Sequence, residues 1–298
     1  MKNFTSLVIA LVLTTGLFVQ NVNAATRYVK YNASGSNDGT SWTNAYTDLQ
    51  SALTPAASGV QIWVAAGTYK PGSGSPTRSS KFDIPSGVLV YGGFAGTESN
   101  LADRNWGVNV TILSGDIGTI GVATDNVYHV VTSSGATATL DGFTITGGYA
   151  NGTGNTNGGA VYLGSGTLTI KNCTINSNYA GFSGGAIFVS SSSTGLSLTN
   201  CLFTTNTSNQ YAGAIGINAA TTITNCTFSA NSAYYGGAIG AYDGIVNINN
   251  SIIYNNLKDP YGSDPNIQNG IGSNLDINYS CWPEAAAPTP DVNGNINP

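Results

Sequence analysis

The sequence predicts an all-β fold in which the chain coils into a parallel β-helix, a solenoid closed at its N-terminal end by a short capping helix. Three observations carry that prediction. An Asn-led motif recurs at near-constant spacing, short segments of period-2 alternation fill each repeat, and one brief stretch near the start has helical spacing instead.

The repeat is clearest in "NCTINSNYAGFSGGAIF" from Asn172, "NCLFTTNTSNQYAGAIG" from Asn200 and "NCTFSANSAYYGGAIG" from Asn225, with "NSIIYNN" beginning at Asn250. The second residues, Cys173, Cys201, Cys226 and Ser251, are spaced by 28, 25 and 25 positions. Ile175, Phe203, Phe228 and Ile253 stand two residues further on. In "ATLDGFTITGG" Phe143 takes the Cys place and Ile145 the next apolar one, which makes five units. A period of roughly 25–30 residues is the mark of a solenoid.

Each unit contains three short alternating segments, as in "GGAVYL", "LTI" and "CTI". Such strands satisfy their backbone groups by pairing in parallel with their counterparts in the next coil, about 4.8 Å away. Alternation then puts Val161, Leu163, Ile187, Val189, Ile215, Ile217 and Ile239 inside. The Cys column faces inward too. Stacked side chains project in parallel, a poor geometry for a bridge, so these thiols read as small buried hydrophobes. Cys281 lies outside the column, and its role is left open.

The Asn residues form two columns, Asn172, Asn200, Asn225, Asn250 and, six residues on, Asn178, Asn206, Asn231, Asn256. Gly142 and Gly148 hold these places in the earlier unit. Asn and Gly accept positive φ most readily, so both columns are expected to be corners. Stacked amides can also hydrogen-bond from coil to coil as a ladder.

Upstream, "NAYTDLQSALTPAA" places Tyr46, Leu49 and Leu53 at helical spacing, and a helix there would cover the open end of the first coil. "QIWVAAGTY", "GVLVYGGF", "VTILSGD" and "NVYHVVTSS" read as early strands, with His129 a structural residue rather than a catalyst. Lys2, the apolar run Leu7–Val19 and "NVNA" read as a signal peptide spanning 1–24, cut after Ala24. The run falls short of the about 20 residues a membrane span needs. Residues 25–298 are expected to form one domain: cap and first strands over 25–70, early coils over 71–135, regular repeats over 136–257 and an irregular C-terminal coil over 258–298 that reads as truncated.

These motifs resemble the repeats of chlamydial polymorphic outer membrane proteins, marked by a Gly-Gly-Ala-Ile segment and a Phe-x-x-Asn segment. Here they are Gly184-Gly185-Ala186-Ile187, Gly236-Gly237-Ala238-Ile239, Phe203-Thr204-Thr205-Asn206 and Phe228-Ser229-Ala230-Asn231, with Ala212 departing in the third unit. The N-terminal half is similar to exported right-handed β-helix proteins of Bacteroidetes-type bacteria through "SNDGTSWTNAYTDLQSAL", "IWVAAGTYKP" and "YGGFAGTESNLADRNWGVNVTILSGD". The resemblance covers nearly the whole mature chain. It implies right-handed coiling, a pectate-lyase-like shape and a secreted, cell-surface or outer-membrane location, without a defined activity.

Composition narrows the function. Charged residues are only 8%, against roughly 25% in ordinary globular proteins. A net charge of -5 argues against nucleic acid, which wants a basic face. Between 142 and 257 the ionisable side chains of acid or base type are Asp243 and Lys171 alone, too few for a calcium-dependent lyase or for a glycosidase's paired carboxylates. No metal site and no cofactor is read in the chain; "DVNGN" from Asp291 lacks the Gly and Glu of a calcium loop. The remaining candidates lie in the first half and the tail; Asp83, Glu98, Asp103, Arg104, Asp116 and Asp125 are ones that could converge in space, with Asp103 and Arg104 expected to form an ion-pairing or loop-fixing pair. The catalytic set is therefore left unknown.

What remains is surface. Tyr162 and Phe188 occupy equivalent outward places on neighbouring coils, and Gly216 and Gly240 follow them, which predicts a flat face with aromatic rings at one end. Such a face suits sugar rings or a protein partner; cover by the loop Gly147–Gly158 is the competing expectation. The leading reading is a non-enzymatic, adhesin-like exported protein that binds glycans or another surface protein. The alternatives are a pectate-lyase-like carbohydrate-active enzyme and a passive stalk of a larger surface protein.

Overall fold

In the computed structural model, which describes residues 25–133, 135, 137–258 and 266–281, each repeat makes one circuit of a common axis. The signal-peptide reading of 1–24 and the tail around Asp291 fall outside the described residues. The strands are parallel throughout and stack into sheets of 14, 7 and 5 strands. The largest holds two ladders. One runs from Thr26–Val29 through Gln61–Ala65, Leu89–Phe94, Thr137–Asp141, Gly166–Lys171 and Ser193–Thr199 to Thr221–Thr224. The other runs from Phe82–Ile84 through Val131–Ser133, Val161–Leu163 and Ile187–Val189 to Ile215–Ile217. The long strand Ile239–Asn249 joins both, and Ile267–Asn278 pairs onto it.

A regular coil contains a fourth strand that periodicity does not reveal. Beyond the sheet built on Thr174–Asn176 and Leu202–Thr204, two-residue strands at Tyr149–Ala150, Tyr179–Ala180, Thr207–Ser208, Ser232–Ala233 and Leu257–Lys258 form the 5-stranded sheet. Two residues are too few to display an alternation.

The core is a set of stacked columns. Val161, Leu163, Ile187, Val189, Ile215, Ile217 and Ile239 are fully buried, and Phe203 stacks on Phe228 with centroids 4.6 Å apart and planes 4° from parallel. Cys173, Cys201 and Cys226 are buried free thiols. The column continues through Ser251 to Ser280, whose hydroxyls accept the N–H groups of Cys226 and Ser251. Cys281 belongs to this further coil and bridges to Ile252 one position beside the column.

The corners correct one expectation. Asn172, Asn200, Asn225 and Asn250 lie in the left-handed region with φ between 49° and 55°, and Gly142 also has positive φ, at 85°. In the next coil the same place is taken by Tyr279 at φ 50°. The second column does not turn the chain. Its left-handed residues are Ser177, Thr205, Ala230 and Asn255, one position earlier, with Gly147 in place of Gly148. Asn178, Asn206, Asn231 and Asn256 instead point inward, at 5% exposure or less.

There they form a continuous amide ladder. Asn178 donates to Asn206 at 3.0 Å, Asn206 to Asn231 at 3.0 Å, Asn231 to Asn256 at 2.9 Å, and Asn256 to Asn266 at 3.1 Å. Each Oδ1 also accepts a backbone N–H from the preceding coil, and each amide nitrogen reaches a carbonyl there, such as Phe203 O from Asn231. Only an amide supplies both donor and acceptor in this geometry, so the burial is fully compensated.

At the N-terminal end the helix Leu49–Leu53 buries Leu49, Ala52 and Leu53 over the first coil. Asp48 caps it by accepting from Ser51 N–H at 2.8 Å, and Arg27 donates to the Ala52 and Pro55 carbonyls at the other end.

Candidate binding groove

Two outward columns run side by side along the regular coils. The first is the register Thr132, Tyr162, Phe188, Gly216, Gly240, Gln268. The second is the residue before each Gly pair or its equivalent: Asn157, Ser183, Tyr211, Tyr235, joined by parallel bridges. Between them lies a groove of about 610 Å³. Phe182, Phe188, Tyr211 and Tyr242 give it aromatic walls, and Asn218, Gln268, Gly270 and Gly272 line it toward the C-terminal coil.

The rings brace one another. Phe182 and Tyr242 meet Tyr211 edge-on at 5.3 and 5.7 Å, and Tyr235 stacks on Tyr211 at 5.4 Å. The predicted flat face is therefore wrong in shape. With no side chain at Gly216 or Gly240, the Ser183 hydroxyl and the Tyr242 phenol fold over those positions, where a Cβ would overlap them. Phe188 lines the groove. Tyr162 lies behind it, between Phe188 at 5.8 Å and His129 at 5.2 Å.

His129 is anchored in turn. Its Nδ1 lies 2.9 Å from the Gly158 carbonyl and its Nε2 3.2 Å from the Asn155 amide oxygen, which ties the Asn151–Gly158 loop down at the Tyr162 end. Burial holds its pKa below the usual histidine value.

The groove also carries unmet polar groups. Gln268 Oε1 is buried without a hydrogen-bond partner among the described residues, and the buried Ser183 Oγ and Tyr242 hydroxyl face each other without a hydrogen bond of good geometry. Ser183 is 1% exposed. Burial also pushes the Tyr242 phenol pKa up, so it stays a neutral donor. No lining residue bears a carboxylate, ammonium or guanidinium. A second groove of about 460 Å³ beside Trp106 and the Asn172–Asn200 corner contains none of the unpartnered atoms.

The N-terminal acids do not gather into a catalytic centre; their partners lie in separate places. Asp83 accepts from Thr132 at 2.6 Å. Burial works against the charge of Glu98, but backbone N–H groups of Ala95, Thr97 and Gly96 outweigh it and hold its pKa below the usual range. Asp103 accepts from Asn100, and the expected pair with Arg104 does not form. Arg104 pairs with Asp141 at 2.7 Å, because its chain turns toward the coil, where the Gly92 and Asp141 carbonyls also accept from it. Asp243 accepts the N–H of its neighbour Gly244. Glu98 and Asp103 share the connection before the strand Thr111–Ser114, and Asp116 and Asp125 the one after it.

The groove residues Tyr211 and Tyr242 were not singled out from sequence. Aligning the position before the Gly pair would have placed Ser183, Tyr211 and Tyr235 in one column. Nothing in the repeat marks Tyr242, since its ring reaches the groove from the long strand Ile239–Asn249, which takes the place of two separate strands in the earlier coils.

No family model matches the chain, and no curated protein matches it. Among solved structures it is similar to the crystal structure of pectate lyase Pel9A, with a TM-score of 0.56 at 16% identity over 87% of this chain. The chain spans 64% of the length of that structure. At this identity the likeness concerns the fold, which is an all-β, right-handed parallel β-helix of pectate-lyase-like shape.

Proposed function

We propose that this protein is a non-enzymatic, exported β-helix that binds carbohydrate at a surface through the Phe188–Tyr211–Tyr242 groove. The observation that carries the reading is the pairing, in one cavity, of aromatic walls with buried polar atoms that are poorly satisfied: Gln268 Oε1 has no partner, and Ser183 Oγ and the Tyr242 hydroxyl have only each other. A buried polar group without a partner costs about 1–3 kcal/mol, and a sugar offers what this groove lacks, hydroxyls for the polar atoms and C–H faces for the rings. The absence of charge in the lining favours neutral sugars, because an anionic one would surrender its hydration for no counter-charge.

The enzyme reading draws on the fold shared with a pectate lyase. It lacks acids and bases along the groove, and fold alone does not carry an activity.

The test is a screen of residues 25–298 against neutral and acidic glycans, scoring binding by calorimetry and cleavage by new reducing ends and unsaturated products. We expect binding to a neutral glycan, weakened at least about tenfold in Tyr211→Ala, with no cleavage. Turnover of an acidic polysaccharide would replace this reading with the enzyme. Binding that Tyr211→Ala and Phe188→Ala leave intact would remove the groove from it.

A further inference from the structure

The column of outward side chains beside the groove is interrupted, and the interruption has a definite length. Tyr162, Phe188, Gly216, Gly240 and Gln268 occupy one register position on successive coils. Rings fill the column up to Phe188. His129 lies against Tyr162 at 5.2 Å, and Tyr162 stacks on Phe188 at 5.8 Å with planes 18° apart. The stack ends there, because the next two positions carry no side chain. A Cβ on Gly216 would sit 3.2 Å from Phe188 Cδ2, so the ring borders the space that the glycine leaves.

This two-glycine gap has a polar floor and a far wall. The Ser183 hydroxyl lies over Gly216 and the Tyr242 phenol over Gly240, each where a Cβ would overlap it. Both oxygens are buried and face each other without a hydrogen bond of good geometry. Beyond the gap Gln268 takes up the column again. Its stem packs on Gly236, where a Cβ would sit 3.2 Å from the Gln268 Cβ, and its buried Oε1 has no partner among the described residues. Tyr211 walls one flank from the neighbouring column. Phe188 and Gln268 lie three coils apart. That is about 14 Å, whereas a pyranose built from bonds of about 1.5 Å is about 5 Å across. The groove volume, about 610 Å³, is likewise that of a small-molecule site.

We propose that the groove takes a glycan by its end, seating a terminal segment of about two neutral sugar residues over Gly216 and Gly240 between Phe188 and Gln268. This rests on the glycan reading and narrows it to chain termini and short saccharides. The C–H face of the first sugar continues the stack in place of the ring that Gly216 lacks. Sugar hydroxyls reach Ser183 and Tyr242 on the floor and donate to Gln268 Oε1. A chain laid along the axis cannot run past Phe188, because Tyr162 and His129 stand behind it. The remainder of a longer chain leaves through the open side of the groove and adds no contact.

Calorimetry of the purified protein tests this, with linear gluco-, galacto-, manno- and xylo-oligosaccharides of two, four and six residues and their parent polymers. In a series that binds, the disaccharide should match the hexasaccharide within about threefold in affinity. A polymer should carry one protein per chain, whatever its length. Gln268→Ala should weaken the disaccharide at least about tenfold while leaving the urea midpoint unchanged. Affinity that climbs about tenfold or more from disaccharide to hexasaccharide, several proteins on one polymer chain, or undiminished affinity in Gln268→Ala would each overturn the inference and leave the glycan reading standing. No binding in any series would overturn both.

Discussion

At the scale of single residues, the two Asn columns do different physical work although they look alike. Asn225 sits at φ 55° on a corner, where Gly is as well suited. Asn231 is fully buried and serves Asn206, Asn256 and the Phe203 carbonyl at once. Asn225→Gly should cost no more than about 1 kcal/mol, while Asn231→Ala should cost about 3 kcal/mol by stranding its neighbours' buried groups. Urea melts of the two variants that coincide would refute the distinction. Ala212 gives a second residue-scale prediction. It holds φ 55° where the adjacent coils use Gly184 and Gly236. Ala212→Gly should therefore stabilise the protein by about 0.5–1 kcal/mol, read as a higher denaturant midpoint at unchanged slope. The thiols belong here too: burial pushes the Cys173 thiol up to about 12, which keeps it protonated and inert.

At the scale of elements, charged side chains tie loops to coils. Arg104 and Asp141 are buried to 8% and 9% side-chain exposure, and the Asp141 carboxylate also accepts from Asn172 at 2.7 Å. The guanidinium lies over Tyr91 and Trp106 at 5.1 and 5.0 Å, so the 3-10 turn Leu101–Asp103 is followed by an anchored stretch. Asp141→Ala should cost about 3–5 kcal/mol, because it leaves the Arg104 charge buried and alone. Arg104→Met combined with Asp141→Leu should recover most of that loss in the same melts.

His129 fastens the Asn151–Gly158 loop in a similar way. Its folded pKa lies below the unfolded value of about 6.5, so the unfolded chain takes up the proton first. Its contribution is intact above about pH 6.5 and declines as the pH falls from there toward the folded pKa. Denaturant midpoints should drop between about pH 6.5 and 5 in the wild type and stay flat over that window in His129→Gln.

At the scale of the whole molecule, the two ends of the solenoid are unequal. The helix Leu49–Leu53 covers the first coil, and Ile267–Asn278, in the last described coil, pairs with Ile239–Asn249. Solenoid stability is approximately a sum over the interfaces between neighbouring coils, and solenoids open from their ends. Native-state hydrogen exchange should find the amides of Ile267–Asn278 far less protected than those of Gln61–Ala65, which pair on both sides. Uniform protection along the axis would mean that the chain opens only as one unit.

The sequence by itself determined the coil. Spacings of 25 and 28, inward Ile and Val pairs, and the Asn that starts each motif are enough, because a solenoid's contacts are local between adjacent repeats and repeat themselves in the text of the chain. Phe188 was legible as an outward aromatic for the same reason. The tertiary structure decided which Asn turns and which is buried, since the corner falls one residue before the second column and φ leaves no mark on composition. It decided that Arg104 meets Asp141 rather than its neighbour Asp103. It also decided the groove, where Ser183, Tyr211 and Tyr242 come together from different coils. Those placements depend on lateral packing between columns, and a one-dimensional repeat records only the direction along which the coils stack.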